Sequence, residues 1–421
     1  VDERWLVPHF EKMLYDNALL ARTYLHAWQV TGATRFLGVL TETVEYVLGT
    51  LSHPDGGRYS AEDADSLPSP DADHGEEGAF YVWTPDEVRD ALVAADRPEL
   101  AEAALEWWGI TAGGNFEGRS IPSRLAHRGL LERPDDVEEA RRLLLAARGT
   151  RPRPGLDDKV LTEWNALFAA ALAEAARATG STRWLDEAVA TGEFLLAHLR
   201  RPDGRWLRSW QADAGARHLA YGADHGALVD AFVSLYEATG DPRWLDEAVA
   251  TASALVELFW DPAGAVWTTG TDAEALVTRP KDVGDNATPS ATSHAAVGLL
   301  RLEAHTGTTR WGDLARSVLR AHAPLLERHP TGFGHLLWAV ELAATGATEV
   351  VVTGDRPDLL AVVNGAYRPT TVLAWGAPAG GPLWEGRDPD GGLAYVCRDF
   401  VCAAPASTPA ELADALAAPG A

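Results

Sequence analysis

A turn motif that recurs along the chain is the feature that most constrains the fold. Residues 178–194 read ATGSTRWLDEAVATGEF, and residues 238–255, which begin 60 positions later, read ATGDPRWLDEAVATASAL. Weaker copies begin at Val30 (VTGATRFLGVL) and at His305 (HTGTTRWGDLA). Apolar residues at helical spacing precede the Gly, which is typical of a helix C-cap, and an aromatic residue opens the next helix. The sequence therefore predicts a series of helical hairpins.

The period of about 60 residues is longer than that of common solenoid repeats. Turn-rich segments such as RPDGRW from Arg201 follow the outer helices, and they indicate long loops. We therefore predict a mainly α protein, an (α/α) toroid of the six-hairpin glycosidase type that spans residues 1–345. Its inner helices are expected to start near these residues: Pro8, Lys159, Tyr221 and Asn286.

The C-terminal part of the chain departs from this pattern. Strand-like runs at 349–353, 370–373 and 393–397 alternate with helix-like segments, so residues 346–421 are expected to form a small α/β region. Its two cysteines, Cys397 and Cys402, are spaced C-x₄-C, unlike a thioredoxin motif, and a buried apolar role is the interpretation favoured over redox chemistry.

Composition excludes some classes of function. The chain has 36 basic and 61 acidic residues and a net charge of −25, which disfavours nucleic-acid and membrane-surface partners. No apolar run approaches the length of a membrane helix, and two cysteines suit a reducing, cytoplasmic location. The chain starts at Val1 without an initiator Met or signal peptide, so we expect a fragment that is N-terminally truncated.

Lysine is rare and therefore informative. The chain has 33 Arg but only three Lys, and Lys12, Lys159 and Lys281 all lie at or just before the start of a predicted inner helix. A compact charge with a tunable pKa suits sites where a planar guanidinium does not fit. Their shared position predicts convergence on one pocket. The alternative is that Lys12 and Lys159 pair locally with Glu11 and Asp158 on a solvated face.

Carboxylates share that position in the repeat, and two carboxylates with separated pKa values can catalyse acid–base chemistry on a polyol. For each single one, an N-cap or helix-dipole role is an equally good interpretation. The candidate catalytic residues are Glu11, Asp16, Asp158, Asp224 and Asp285. The candidate substrate-binding residues are His9, Lys12, Asn17, Glu77, Trp83, Lys159, Trp164, Asn165, His225, Lys281 and Ser290.

The tryptophans and an acidic segment allow two further functional interpretations. The chain has 16 Trp, whose flat faces can pack against sugar rings, although core packing between hairpins explains them as well. In particular, Trp184 and Trp244 are expected to be structural. Seven acids between Ser60 and Gly78 could bind Ca²⁺, but they lack the glycine and glutamate positions of an EF-hand loop. We expect neither a metal nor a cofactor.

Five motifs carry a resemblance to a known family: VPHFEKMLYDNALL from Val7, EEGAFYVWT from Glu76, GNFEG from Gly114, DDKVLTEWNAL from Asp157 and PKDVGDNATPSATS from Pro280. They resemble the YyaL-type thioredoxin-domain-containing proteins, the spermatogenesis-associated protein 20-like family. The resemblance implies an N-terminal thioredoxin-like domain, absent here, followed by a toroid similar to six-hairpin glycosidases and N-acylglucosamine 2-epimerases. It implies a fold and a pocket, not a reaction.

Three functions remain open. The first is a carbohydrate-active toroid with an acidic, Trp-rich central pocket that hydrolyses or isomerises a sugar. The second is a non-catalytic module that binds a glycan or peptide for the absent thioredoxin-like domain. The third is an epimerase-like site that uses His9, His225 or His294 as acid and base. The expected ligand is a small molecule or glycan, and its identity is not determined by the sequence.

Overall fold

The computed structural model describes residues 2–130 and 132–418. Val1 and Leu131, which belong to the predicted toroid, and residues 419–421 of the predicted α/β region lie outside the described residues. Two compact units are present: unit 1 comprises Val1–Met13 and Ala61–Asp158, and unit 2 comprises Leu14–Ser60 and Lys159–Ala421, apart from those undescribed positions. These boundaries differ from the predicted 1–345 and 346–421, and the predicted division stays a prediction.

The described helices are α1 Leu14–Thr31, α2 Thr34–Thr50, α3 Pro85–Ala94, α4 Ala101–Trp108, α5 Asp135–Arg148, α6 Thr162–Thr179, α7 Thr182–His198, α8 Gly222–Thr239, α9 Pro242–Phe259, α10 Ala291–Thr306, α11 Thr309–Arg328, α12 Gly334–Thr345, α13 Pro357–Asn364 and α14 Pro409–Ala417. None of these helices combines the length and the apolar character that crossing a bilayer requires.

The described strands are β1 Lys12–Met13, β2 Ala61–Glu62, β3 Asp65–Ser66, β4 Glu76–Glu77, β5 Leu156–Asp157, β6 Val160–Leu161, β7 Leu207–Gln211, β8 Gly215–Leu219, β9 Trp260–Asp261, β10 Ala265–Val266, β11 Thr348–Val352, β12 Thr371–Trp375, β13 Ala394–Arg398 and β14 Val401–Cys402. Most are two-residue pairings in the loops, and the longer ones form a β7–β8 hairpin and a C-terminal sheet.

Unit 2 is built from the predicted helical hairpins. Gly180, Gly240 and Gly307 end α6, α8 and α10 in the left-handed conformation, with φ of 73°, 67° and 67°. Such a residue satisfies carbonyls at the helix end and turns the chain back. Ser181 and Asp241 then cap the next helix by accepting a hydrogen bond from its first turn. The repeated Thr-Gly motif is therefore the reversal of each hairpin.

The inner helices follow one another in the order α1, α6, α8, α10, α12, each packed against the next. Nearly every residue of α6, α8 and α10 is buried, whereas α7, α9 and α11 bury one face only. A helix buried all round belongs inside a second layer of helices. Unit 2 is thus an α/α toroid of the six-hairpin type, and the predicted fold class is confirmed.

The inner helices start at Leu14, Thr162, Gly222 and Ala291. The predicted starts near Lys159 and Tyr221 are close to these positions. The starts expected near Pro8 and Asn286 are wrong by about one to two turns, because strand β1 precedes α1 and an irregular loop precedes α10. Residues at helical spacing before a helix do not reveal where its first backbone hydrogen bond forms.

The repeated tryptophans are structural, as predicted. Trp244 is 1% exposed and Trp184 is 7% exposed. Trp244 of α9 stacks on Phe232 of α8 with ring centroids 5.7 Å apart, and Gly192 of α7 leaves space for its ring. Trp184 of α7 donates from Nε1 to Glu45 of α2 at 3.3 Å. Each indole therefore joins two neighbouring hairpins.

The C-terminal region forms a four-stranded sheet in the order β12-β11-β13-β14. Strands β11 and β12 are parallel, linked by α13, and β13 and β14 run antiparallel. The region packs on the end of α8, where Trp375 Nε1 donates to the carbonyl oxygen of Glu237 at 2.8 Å. The predicted strands and helices of this region are present, within unit 2.

The cysteine expectation needs a correction. Cys397 and Cys402 are joined by a disulfide, because β13 and β14 place them directly opposite each other, with Cα atoms 3.9 Å apart. Cys397 is buried, but Cys402 is exposed. The spacing C-x₄-C spans a tight hairpin turn, which was not visible in the sequence pattern.

Unit 1 has its own cores. Helices α3, α4 and α5 pack around Val88, Leu92, Ala104 and Ala140, all buried. A capping box at the start of α3 joins Thr84 and Glu87. A three-stranded sheet in the order β1-β2-β5 and the β3–β4 hairpin complete the unit, so the acidic segment between Ser60 and Gly78 contains the three short strands β2, β3 and β4.

Candidate functional site

A cavity of about 500 Å³ lies within unit 2, lined by inner helices and the C-terminal region. The charged and aromatic residues of its wall are Arg22, His26, Glu174, Arg177, Glu237, Asp285, Arg301, His335, Trp338, Tyr367 and Arg368. We call this space the central cavity. Its polar lining sets it apart from the apolar cores around it.

Arg22 of α1 is the link between three inner helices. Its Nη2 lies 2.6 Å from Oε1 of Glu174 on α6, and its Nη1 lies 2.6 Å from Oδ2 of Asp230 on α8. The fork of a guanidinium suits such double pairing. Burial raises the pKa of both carboxyl groups, but Arg22 prevails, helped by His26 at Glu174 and by Arg301 at Asp230, and holds both pKa values below the usual range. Both groups are therefore ionised at neutral pH.

A second set of ion pairs continues around the wall. Glu237 of α8 accepts from Arg177 at 2.9 Å, from Arg301 at 3.1 Å and from His305 Nε2 at 3.1 Å. Arg301 also pairs with Asp230. Although burial raises the pKa of Glu237, the cations around it prevail and lower that pKa to about 2. The carboxylates of this wall therefore act as fixed negative charges, not as proton donors.

Two histidines, the buried His294 and the half-buried His335, lie beside this charge network. The rings of His294 on α10 and His335 on α12 have centroids 4.7 Å apart. Both ring nitrogens of His294, and Nε2 of His335, are buried without a hydrogen-bond partner among the described protein atoms. Burial lowers the pKa of His294 to about 3 and that of His335 to about 4. Both imidazoles are therefore neutral at physiological pH.

Asp285 positions His335 through the backbone. Its Oδ2 accepts from the His335 amide at 2.7 Å, and its Oδ1 accepts from the Ser290 amide at 2.9 Å. One carboxylate thus ties the start of α12 to the start of α10. A carboxylate at a helix N-terminus is stabilised by the helix dipole.

The C-terminal region closes part of the cavity wall. The Tyr367 ring packs on His26 with centroids 4.5 Å apart, and Trp338 Nε1 donates to the Pro369 carbonyl oxygen at 2.6 Å. Gln29 Nε2 donates to the Asn364 carbonyl oxygen at 2.9 Å. These contacts fix two aromatic faces, Trp338 and Tyr367, at the cavity.

A separate acidic pair lies at the starts of α6 and α8. Asp224 is fully buried and accepts from the Glu163 and Tyr221 amides at 3.0 and 2.7 Å and from Arg208. Burial and the neighbouring Asp224 charge together raise the pKa of Glu163 to about 7, against the opposing effects of Arg208 and a hydrogen bond from Thr288. Burial also raises the pKa of Asp224. Glu163 is thus a carboxyl group that titrates near neutrality.

Most of the predicted site residues in unit 2 have other partners. Within the described part of this unit, Asp285 is the predicted residue that lines the central cavity. Asn165 is bonded to the backbone of Arg58 and Leu161, and Ser290 caps α10. Trp164 packs edge-on against Tyr15.

The remaining predicted residues of unit 2 lie on loops and helix ends. His225 is buried against Phe259 and its Nδ1 lies 2.8 Å from the Tyr221 carbonyl oxygen. Lys281 pairs with Asp261 and lies over Trp267, 4.1 Å from the ring centroid. Asp16 and Asn17 are in the first turn of α1, and Lys159 precedes β6. The proposed convergence of the three lysines stays a prediction.

The other predicted residues belong to unit 1. His9 and Glu11 form a partly exposed pair at 3.5 Å. Lys12 lies over Tyr81, 3.4 Å from the ring centroid, and burial lowers its pKa to about 8, against the opposing effect of Glu62. Trp83 is part of the helical core of unit 1. Two exposed acids complete the set: Glu77 in β4 and Asp158 at the end of the unit.

Sequence reasoning missed the charged residues of the cavity wall. Arg22 and His26, and likewise Arg301 and His305, are four positions apart on helices that carry few other charged residues, so each pair shares one helix face. Asp230 and Glu237 are seven apart on α8 and share a face as well. Charged residues on a helix that is apolar all round are the signal that could have revealed this site.

No family model matches the chain. Spermatogenesis-associated protein 20 of Homo sapiens is 33% identical over 460 residues, which cover 98% of this chain and 58% of the human protein. The Mus musculus protein of the same name is 32% identical with the same coverage.

The chain is therefore a toroid protein, and 98% of its residues align with the homologous spermatogenesis-associated protein 20. The resemblance drawn from its motifs is confirmed. The chain spans 58% of the length of these curated relatives.

Solved structures give similar folds at low identity. Cellobiose 2-epimerase from Spirochaeta thermophila matches with a TM-score of 0.46 and 13% identity, covering 77% of this chain and 62% of the epimerase chain. A D-mannose isomerase matches with a TM-score of 0.38 and 13% identity, covering 75% of this chain and 76% of the other. The GH76 α-mannanase BT2949 of Bacteroides thetaiotaomicron has a TM-score of 0.33 and 12% identity, covering 73% of each chain.

Proposed function

We propose that the central cavity binds a neutral sugar and that His335 catalyses proton transfer on it, as in the isomerisation of an aldose to a ketose. The observation that carries the proposal is the neutral imidazole of the half-buried His335 at the wall of a polar cavity of about 500 Å³, whose Nε2 has no partner among the described protein atoms. That volume is within the range of small-molecule sites.

The lining fits a polyhydroxylated ligand better than an ion. Four arginines and four carboxylates lie in or directly behind the wall: Arg22, Arg177, Arg301, Arg368, Glu174, Asp230, Glu237 and Asp285. Because their charges balance, neither an anion nor a cation gains a net attraction. Hydroxyl groups donate to carboxylates and accept from guanidinium groups, and the faces of Trp338 and Tyr367 can pack on a sugar ring.

The histidine pair can perform the proton transfer. A neutral His335 imidazole takes a proton from the carbon next to the carbonyl of the open-chain sugar, and the electrons of that C–H bond form an enediolate with the negative charge on the former carbonyl oxygen. The proton of the adjacent hydroxyl group then moves to that oxygen. The imidazolium returns its proton to the former carbonyl carbon, the second oxygen becomes the new carbonyl, and the ketose results. His294 lies behind His335 and can share the proton during the enediol stage. One base on one side of the ligand suits isomerisation.

Solvent exchange tests this function. Each of a panel of aldoses is incubated with the protein in D₂O, and ¹H NMR follows both the isomer and loss of the proton next to the carbonyl. We expect exchange with at least one sugar, and we expect His335→Gln to abolish exchange while the sugar still binds. His225→Gln is the control, since His225 is a buried histidine that is not part of the cavity lining and whose Nδ1 lies 2.8 Å from the Tyr221 carbonyl oxygen.

A non-catalytic binding module is the second candidate. The favouring observation is that the wall cations Arg22 and Arg301 are fully engaged in ion pairs, as in a rigid binding surface. Calorimetric binding of a sugar or peptide without any exchange in D₂O would support this function and reject isomerisation. If no sugar binds, the proposal of a carbohydrate ligand is wrong.

A further inference from the structure

Three side chains lie in a row across the C-terminal sheet. Glu349 of β11 is the register partner of Cys397 of β13, and Cys397 is the register partner of Cys402 of β14. Directly opposed residues of antiparallel strands project from the same face of a sheet. A buried carboxyl group, a buried sulfur and an exposed sulfur are therefore adjacent on one face.

Arg387 places a positive charge against this disulfide. Its Nη2 donates to Sγ of Cys402 at 2.8 Å and to Sγ of Cys397 at 3.3 Å. The guanidinium is held there by the carbonyl oxygens of Pro382 and Leu383. A cation next to sulfur stabilises the thiolate, which is the species that leaves and attacks in disulfide exchange.

Glu349 is placed to exchange protons. One of its carboxylate oxygens, Oε2, is buried without a partner among the described protein atoms, and the residue lines a cavity of about 420 Å³. Burial raises its pKa to about 7, and Asp399 adds to this effect while the Phe400 amide and Arg398 oppose it. Arg387 also faces it, and Glu303 and Arg316 line the same cavity.

The position of the disulfide means that it adds little stability as a cross-link. The entropy that a cross-link removes from the unfolded chain grows with the length of the closed loop, and here only four residues separate the cysteines. The pairing of β13 with β14 already holds these residues opposite each other. A purely stabilising cross-link requires neither Arg387 nor the Glu349 carboxyl group beside its sulfurs.

We infer that Cys397 and Cys402 form a dithiol–disulfide exchange site that accepts electrons from an external dithiol, with Arg387 stabilising the thiolates and Glu349 handling the proton. This activity is separate from the central cavity and does not depend on the function proposed for it.

The exchange balances as two displacements. A thiolate of the external dithiol attacks the exposed Cys402 sulfur, the Cys397–Cys402 bond breaks, and Cys397 leaves as a thiolate beside Arg387. The Glu349 carboxyl group then protonates Cys397. The second thiolate of the dithiol then attacks the first dithiol sulfur, which is bonded to Cys402 in the mixed disulfide. The dithiol closes to its own disulfide, and Cys402 is released as a thiolate. The dithiol is oxidised by two electrons, the protein disulfide is reduced, and water reprotonates Glu349.

Reduction kinetics test the site. Dithiothreitol is the probe, and thiols released with time are trapped by iodoacetamide and counted by mass spectrometry between pH 6 and pH 9. We expect Arg387→Gln to slow reduction about tenfold or more, because the leaving thiolate loses its cation. Glu349→Gln should slow it near pH 7 and flatten its pH profile. Arg356→Gln, a guanidinium of the same region paired with Asp358, is the control and should react as the wild type does.

A structural disulfide would behave differently. If Arg387→Gln, Glu349→Gln and Arg356→Gln all reduce at the wild-type rate, the exchange site is wrong. It is also wrong if reduction of the wild type, or the Cys397→Ser/Cys402→Ser double substitution, unfolds the C-terminal region in thermal melts followed by circular dichroism. Should the Arg387 variant fail to fold, the pH profile of reduction of the Glu349 variant distinguishes the two roles, since a purely structural disulfide predicts no change in that profile.

Discussion

His335 is held at the cavity wall by Asp285, which lies 50 positions earlier in the chain and accepts the His335 backbone amide at 2.7 Å. The carboxylate thus acts on the backbone and leaves the imidazole free to face His294. Asp285, the predicted residue of unit 2 that lines the cavity, therefore positions the backbone of His335 and is separate from the imidazole proposed to transfer the proton.

Replacing Arg22 by Ala should destabilise the protein by about 3–5 kcal/mol, because the buried carboxylates Glu174 and Asp230 would lose the guanidinium that pairs with both and would keep only their contacts with His26 and Arg301. Chemical denaturation followed by circular dichroism measures the change. The matched control is Arg183→Ala, since Arg183 pairs with Glu45 while 58% of its side chain is exposed, and it should cost less than about 1 kcal/mol. Equal effects would show that the buried network contributes no more than a surface pair.

Two glycines at equivalent helix ends should respond differently to Ala. Gly180 and Gly240 both have positive φ, but a Cβ at Gly240 would lie 2.8 Å from the Trp375 carbonyl oxygen, whereas a Cβ at Gly180 would meet nothing within 4 Å. Gly180→Ala should therefore cost about 1–2 kcal/mol from backbone strain alone. Gly240→Ala should cost more and loosen the C-terminal region. Denaturation midpoints that fall equally in both variants would contradict the close contact.

Truncating Trp244 to Ala should cost about 3–5 kcal/mol, since its ring is buried between two hairpins. Trp244→Phe keeps much of the apolar contact and should cost less. Differential scanning calorimetry on the three proteins gives the order. A Trp244→Ala variant as stable as the wild type would remove the structural role that the repeat assigns to this position.

Stability should depend on pH with opposite signs for two groups. Glu163 has a folded pKa of about 7, above its ordinary 4.5, so the folded state binds more protons between these values and stability falls as pH rises from 4.5 to 7. His294 has a folded pKa of about 3, below 6.5, so the unfolded state binds more protons and stability is lost as pH falls from 6.5 towards 3.

Denaturation at a series of pH values separates the two effects. Within its window each group contributes a slope of up to about 1.4 kcal/mol per pH unit. Glu163→Gln should make stability fall less between pH 4.5 and 7, and His294→Gln should make it fall less below pH 6. If neither slope changes, the protonation states assigned to these side chains are wrong.

The hairpins could be predicted because their signals are local. A Thr-Gly turn, an N-cap and an aromatic at the next helix start all lie within about six residues, as at Gly180 and Trp184. The cavity could not be predicted in the same way. Arg22 meets Asp230 across 208 positions, and nothing in the spacing of either residue encodes that meeting.

The candidate site was expected at the starts of the inner helices, where lysines and carboxylates recur. At that position the structure has Asp224, whose carboxylate accepts hydrogen bonds from the backbone amides of Glu163 and Tyr221 and from Arg208. An acid that caps a helix and an acid that catalyses look alike in a sequence, because both follow a loop and precede an apolar run.

The hydrogen bond from Gln29 to the Asn364 carbonyl oxygen spans 335 positions, and it joins an inner helix to the C-terminal region at the cavity. A chimaera of two relatives that exchanges only the residues after 346 would build the cavity wall from inner helices of one protein and a C-terminal region of the other. Such a hybrid could keep every helix and still lose its ligand, so these two stretches of the gene are expected to be inherited together.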